Sequence, residues 1–285
     1  VVDVARAVLT IHRDFGDRSN RKHARLKYVL ADRGPQWFRA ELERRLGFAL
    51  AEPKPFAFQR QGDAFGWHAQ TDGRLVLGVF VETGRIKDHG PVRLKTALRA
   101  VVEQFQPEIR LTPSNNVLLA NLAPADREAI NRLFDAHGVD LSRQGSALRR
   151  ASMACVSLPT CGLGLAESER YLPGLITRLE ALLGEVGLGG QEIIIRMTGC
   201  PNGCARPYMA EIGFVGKAPG RYQIWLGGNE PSTRLNRLWK DGVKDADIET
   251  ELRPVLARYA AERQTNERFG DWVERVLWKE RPAGV

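Results

Sequence analysis

The chain has 285 residues, 43% of them hydrophobic and 27% charged, enough apolar material for two modest domains or one large one with a buried core. Its 28 glycines and 15 prolines are dispersed, and apolar runs such as 74–82 and 192–196 are far shorter than a bilayer span, which excludes a low-complexity chain and a membrane-spanning helix. The 42 Lys and Arg against 34 Asp and Glu leave +8, a balance suited to an anionic substrate, a polycarboxylate cofactor or nucleic acid, and equally to an Arg-rich solvated surface.

The opening residues show neither an initiator Met nor the basic-then-apolar order of a signal peptide, which predicts a cytoplasmic chain. They enter an apolar-periodic stretch (Val1, Val4, Val8, Ile11) without a cap, which predicts an upstream portion. Helical periodicity continues to Phe15-Gly16 and recurs over 21–31 and 36–46, with Gly34-Pro35 as the break. After the linker around Pro53 and Pro55 the period changes to two. Residues 67–70 and 75–81 flank Thr71-Asp72-Gly73, an Asp-Gly turn signal, and so predict a β-hairpin. A helix over 94–105, short strands over 109–112 and 117–121, and a helix over 124–137 complete the order strand, strand, helix, strand, strand, helix.

From Ser142 the pattern becomes irregular. A helix is expected over 167–186, a β-rich run over 191–197, strands over 212–216 and 222–226, and helices over 248–262 and 269–278. The expected organisation is a helical segment over 1–52, an α+β half-domain over 53–140 and a second α+β unit over 141–285.

All four cysteines fall in that second unit, as C-x5-C (Cys155, Cys161) and C-x3-C (Cys200, Cys204), on loops beside strand ends. Disulfides are out of place in a cytoplasmic chain of this size, and structural zinc prefers shorter first spacings. Four unevenly spaced thiolates suit a 4Fe-4S cube, around which the chain must wrap; Gly199, Pro201, Asn202 and Gly203 offer a compact turn whose N–H groups can face sulfur. Spacing alone favours the cluster and leaves zinc and incidental buried cysteine open.

The segments Ser-Met-Ala-Cys155-Val-Ser-Leu-Pro-Thr-Cys161 and Thr198-Gly-Cys200-Pro-Asn-Gly-Cys204, followed in the first case by Ala166-Glu-Ser-Glu-Arg-Tyr-Leu-Pro173, resemble the cluster signature of the nitrite and sulfite reductase haemoprotein family. Arg13-Asp-Phe-Gly16, Gly84-Arg-Ile86, Leu94-Lys-Thr96 and Val215-Gly-Lys-Ala-Pro-Gly-Arg-Tyr222 are similar to its NADPH-type sulfite reductase members, so the likeness covers almost the whole chain. It implies an α+β fold in which one ferredoxin-like half-domain precedes a domain binding a 4Fe-4S cluster and sirohaem. It also implies that Cys155, Cys161, Cys200 and Cys204 hold the cluster, with Cys204 shared as the axial ligand of sirohaem iron.

The implied activity is six-electron reduction of sulfite to hydrogen sulfide, in sulfate assimilation and cysteine biosynthesis. The chain shows no dinucleotide fingerprint, so electrons are expected from a separate NADPH-oxidising FAD/FMN flavoprotein in a hetero-oligomer, with ferredoxin as the alternative donor. In the family the distal cations that grip substrate come mainly from the other half, so no catalytic residue is assigned and this chain alone is not expected to reduce sulfite. Asn202, Arg18, Arg21, Lys22, Arg110 and Asn115 are candidates for sirohaem contact, each weighed against solvated surface. Assimilatory nitrite reductase is the nearest alternative, and a non-catalytic metal-binding nucleic-acid module the alternative from another class. The five histidines, His12, His23, His68, His89 and His137, show no metal spacing. Trp37, Trp67, Trp225, Trp239 and Trp278 are read as core or interface aromatics, and Gly213-Phe-Val-Gly-Lys217 as strand and turn rather than a phosphate loop.

Overall fold

The computed structural model describes residues 1–56 and 62–280. Two compact units divide at Ala57. The first holds helices α1 (Val2–Phe15), α2 (Leu26–Arg33) and α3 (Pro35–Leu46). Ala7 and Ile11 on one face of α1 meet Leu42 of α3, with Phe15, Trp37 and Phe38 packed around them. Phe15 and Trp37 stand edge to face at 5.0 Å, and the Arg33 guanidinium lies 4.5 Å from the one ring and 4.6 Å from the other. Helix α2 begins at Leu26 rather than near Arg21. The preceding residues are held in a local turn: Asp17 Oδ1 accepts from the Ser19 and Asn20 backbone N–H groups at 2.8 and 3.0 Å.

The second unit begins with a four-stranded antiparallel sheet in the order β1-β2-β6-β5, formed by β1 (Gly66–Ala69), β2 (Leu75–Val79), β5 (Glu108–Leu111) and β6 (Val117–Leu122). A two-stranded ribbon, β3 (Asp88–His89) with β4 (Val92–Arg93), leads into helix α4 (Leu94–Phe105), and α5 (Arg127–Ala136) follows the sheet. Leu77 and Val79 of β2 and Val117 and Leu119 of β6 pack on Ala97 and Val101 of α4 and on Ile130 and Phe134 of α5. This is the expected α+β half-domain, with the helix over 94–105 where periodicity places it.

The larger core belongs to a five-stranded mixed sheet, β11-β10-β9-β8-β7, where β7 is Ser152–Ala154, β8 Ile195–Thr198, β9 Ile212–Ala218, β10 Arg221–Leu226 and β11 Arg237–Lys244. β7, β8 and β9 run parallel, while β10 and β11 continue antiparallel. Interior β8, flanked by β7 and β9, is buried at every position and its sequence does not alternate. Short α6 (Ala147–Arg150) leads into β7. Helices α7 (Leu172–Glu185) and α8 (Ile248–Glu262) and the C-terminal helical run from α9 (Phe269–Trp272) through residues 273–277 to α10 (Trp278–Glu280) supply the rest of this core. Each fully buried Leu, Ile or Phe there contributes about 1.5–3 kcal/mol.

Further features depart from the sequence reading. The helix expected from Glu167 starts at Leu172, because Ser168 Oγ donates to Met197 O at 2.7 Å and Glu169 N to Cys155 O at 3.1 Å, which ties this stretch to β8 and the cysteine loop before a turn leads into the helix. β7, inside the stretch read as irregular, and the edge strand β11 were not expected. Trp272, absent from the aromatics singled out above, is fully buried. Among the described residues no helix is long and apolar enough to cross a membrane.

Candidate functional site

Sheet topology brings the two cysteine pairs together. β7 and β8 are parallel neighbours with Ala154 opposite Met197, so the loops leaving their C-terminal ends start side by side. Cys155 is the first residue after β7 and Cys200 the second after β8. Cys155 N donates to Met197 O at 3.1 Å, one further rung of the ladder.

The loops are then locked by close backbone packing. Gly199 O accepts from Leu165 N at 2.8 Å and Ala166 N at 3.0 Å, and the Ser157 hydroxyl donates to Ala166 O at 2.6 Å. A Cβ on Gly199 would stand 1.6 Å from Ser157 Oγ and 2.4 Å from Ala166 O, so only glycine fits. Cys161 N donates to Ser157 O at 2.7 Å, which turns the first loop back on itself. In the second loop Gly203, at φ 69°, lets the chain reverse between Cys200 and Cys204.

All four cysteines are free thiols and all four line one cavity of about 540 Å³. Cys200 is buried, Cys155 and Cys161 are half-buried, and Cys204 is exposed. Among the described residues no three His, Cys, Asp or Glu side chains converge closely enough to hold a single metal ion. Four thiols around one cavity of this size leave room for a polynuclear cluster. Gly199 N–H points at Cys155 Sγ at 3.4 Å, a donor of the kind that stabilises a coordinated thiolate. The donor set and the cavity thus fit a 4Fe-4S cluster.

The half-domain contributes one wall. Thr83, Gly84, Arg85, Pro113 and Asn115 line the same cavity. The Arg85 guanidinium forks onto the buried Glu169 carboxylate, with Nη2 to Oε2 at 2.8 Å, and this holds the Arg85 guanidinium above its ordinary pKa through the hydrogen bond first and the charge second. Asn115 Nδ2 donates to Ala154 O at 3.2 Å, and Arg206 Nη2 to Pro113 O at 2.9 Å. Three contacts thereby join loops of the half-domain to β7 and to the cysteine loops.

Of the residues read from sequence as sirohaem contacts, Asn202 and Asn115 line the thiol cavity. Arg110 is exposed on β5 and bonded to Glu108 at 2.7 Å, and it does not line that cavity. Arg18, Arg21 and Lys22 are exposed in the loop between α1 and α2 of the helical unit. Arg85, Glu169 and Ser157 were not singled out from the sequence. Arg85 stood inside a quoted motif, but its partner lies 84 positions away and no local pattern announces the pair.

Comparison with known proteins agrees with this geometry. The family model described as the nitrite and sulphite reductase 4Fe-4S domain matches residues 1–50 and 193–280, and the nitrite/sulfite reductase ferredoxin-like half domain matches 68–137 between them. The chain belongs to the nitrite and sulphite reductase family. Its matched segments include Cys200 and Cys204. The sulfite reductase (NADPH) hemoprotein beta-component of Myxococcus xanthus is 49% identical over 98% of the chain and 50% of that protein. The protein of the same name from Lysinibacillus sphaericus is 46% identical over 97% of the chain and 48% of its own length. Among solved structures, Mycobacterium tuberculosis NirA superposes with a TM-score of 0.81 at 28% identity, over 96% of this chain and 52% of NirA. Dissimilatory sulfite reductase I shares the fold, with a TM-score of 0.53 at 11% identity. The chain thus spans about half the length of the curated relatives it matches. The α+β family fold expected from the resemblance is the fold found.

Proposed function

We propose that this chain is the cofactor-carrying, electron-delivering half of an assimilatory sulfite reductase haemoprotein that reduces sulfite to hydrogen sulfide for sulfate assimilation and cysteine biosynthesis. The observation that carries the reading is the single cavity rimmed by Cys155, Cys161, Cys200 and Cys204, with Cys204 the exposed member. The four thiolates would hold the 4Fe-4S cluster, and the outward position of Cys204 suits a sulfur shared with sirohaem iron as its axial ligand. The cluster and sirohaem, when bound, supply one-electron storage and an iron that takes substrate through sulfur.

The chain's own residues have distinct tasks in this reading. Cys204 would hold both the cluster and the sirohaem iron, linking electron store to catalytic metal. Gly199 N–H lowers the charge borne by the Cys155 sulfur, and the Ser157, Ala166 and Gly199 packing fixes loop geometry and keeps water from beneath the site. Asn202 and Asn115 present amide groups at the rim, where a polycarboxylate macrocycle would offer acceptors. The division into residues 1–52, 53–140 and 141–285 belongs to the same proposal, as do a cytoplasmic setting and an NADPH-oxidising flavoprotein or ferredoxin as donor.

The test is turnover and spectroscopy of the full-length protein. Reconstituted with iron, sulfide and sirohaem, it should show haem bands that shift on cluster reduction, and it should reduce sulfite to sulfide. Preference for nitrite at matched low concentration would transfer the proposal to nitrite reduction. A colourless zinc-loaded protein after the same reconstitution would refute it.

A further inference from the structure

Arg196, the second residue of β8, is more than nine-tenths buried, and its Nη1 has no hydrogen-bond partner. Among the described residues it makes no ion pair. It stands opposite Met153 on one side and Gly213 on the other. Burial, and then the nearby positive charge of Arg206, push its pKa down to about 10. A guanidinium held away from water without an anion is costly, and this one sits beside a second cation.

The space around it is a small cavity of about 100 Å³, lined also by Arg150, Asn116 and Met153. Met153 lines the thiol cavity as well, so the two spaces share a wall. The carboxylates on the small cavity do not neutralise Arg196. Asp63 accepts from the Thr112 hydroxyl at 2.5 Å and the Asn116 amide at 2.7 Å, and Glu192 pairs with Arg268 at 3.2 Å. Glu230 is the third, and it has an interaction of its own. Arg206, two residues after Cys204, places Nη2 on Pro113 O at 2.9 Å and 3.7 Å from Sδ of Met153, the residue that both cavities share.

We propose that Arg196, with Arg206 beside it, is an anion site for a group with paired anionic oxygens, either a carboxylate on the rim of a macrocycle seated at Cys204 or a free oxyanion of similar size. The first source rests on the function proposed above. The second does not. A fork of two N–H groups matches such a pair of oxygens, and charge-assisted bonds would replace the missing partner.

The test compares full-length wild type with Arg196→Met and Arg196→Lys, each with and without sirohaem, and each titrated with sulfate in the sirohaem-free form. Removing an unpaired buried charge should leave the melting temperature of the sirohaem-free R196M protein unchanged or higher. The same variant should bind sirohaem about tenfold more weakly, or lose a saturable rise in melting temperature that sulfate gives the wild type. R196K keeps the charge without the fork and should fall between. Weaker sirohaem binding assigns the macrocycle as source, and loss of the sulfate response alone assigns a free anion. Equal sirohaem affinity and equal sulfate response in wild type and R196M would overturn the proposal, as would a marked fall in the stability of sirohaem-free R196M and R196K alike. A wild type that binds no sirohaem at all would instead sink the functional reading, and the sulfate arm would still decide the site.

Discussion

Gly199 donates its backbone N–H to the Cys155 sulfur across the two cysteine loops, and the absence of a side chain at Gly199 is what lets Ser157 and Ala166 close beneath it. We predict that Gly199→Ala forces this packing apart. The added Cβ meets a backbone oxygen as well as a hydroxyl, so a rotamer change at Ser157 cannot absorb it. Stability should fall by about 1–3 kcal/mol or more, and iron and acid-labile sulfide per chain should fall together. Wild-type iron content in G199A would contradict the role given to this contact.

The Arg85–Glu169 pair ties the half-domain to the cysteine loop, with the carboxylate buried and the guanidinium about half exposed. Its net contribution is modest because of that exposure. Arg85→Ala leaves Glu169 buried without its cation and should destabilise more than Glu169→Gln. A double-mutant cycle by urea denaturation should give a small favourable coupling between the two positions. Strict additivity would show that the two loops are joined by other contacts.

Glu211 is fully buried and accepts from Ile194 N at 2.9 Å, Gly270 N at 3.0 Å and Arg268 Nη2 at 2.8 Å, which pins β8, β9 and the C-terminal helical run to one another. Glu211→Ala orphans two buried N–H groups and leaves Arg268 with Glu192 alone, and should cost about 3–5 kcal/mol. A thermal melt within a degree or two of wild type would contradict this assignment.

In the helical unit, hydrogen bonds from Arg13 and then Arg45 hold Asp14 at about 2, and those from Arg44 and Arg45 hold Glu41 at about 2. Both folded values lie below the ordinary carboxylate range, so the stability they contribute is present above pH ~4.5 and lost as pH falls towards 2. Carboxyl carbon chemical shifts should titrate near the lower value in wild type and move up in Arg45→Met. Unshifted titration of both groups near pH 4 would show that the pairs do not persist in solution.

The sequence carried the four thiols, the half-domain order and α4, because each rests on a local pattern: spacing, turn residues or helical periodicity. It did not carry β7, whose three residues are too few to show alternation, although that strand is what sets Cys155 beside the loop of Cys200. Nor did it carry β11, an edge strand with four charged residues among its eight and register shifts against β10. Arg196 interrupted the run Ile193-Ile194-Ile195-Arg196-Met197 in plain sight, and the signal was a charged residue where a doubly buried strand expects none. Its missing partner becomes visible only in three dimensions.

The central claim is that one cluster is held by these four thiols and shared through Cys204. It is tested most directly by low-temperature magnetic resonance and optical spectra of the reconstituted full-length protein, wild type against Cys204→Ser. In wild type the cluster signal should be coupled to haem iron, with both the coupling and the perturbed haem bands lost in C204S. Unaltered haem–cluster coupling in C204S would contradict it.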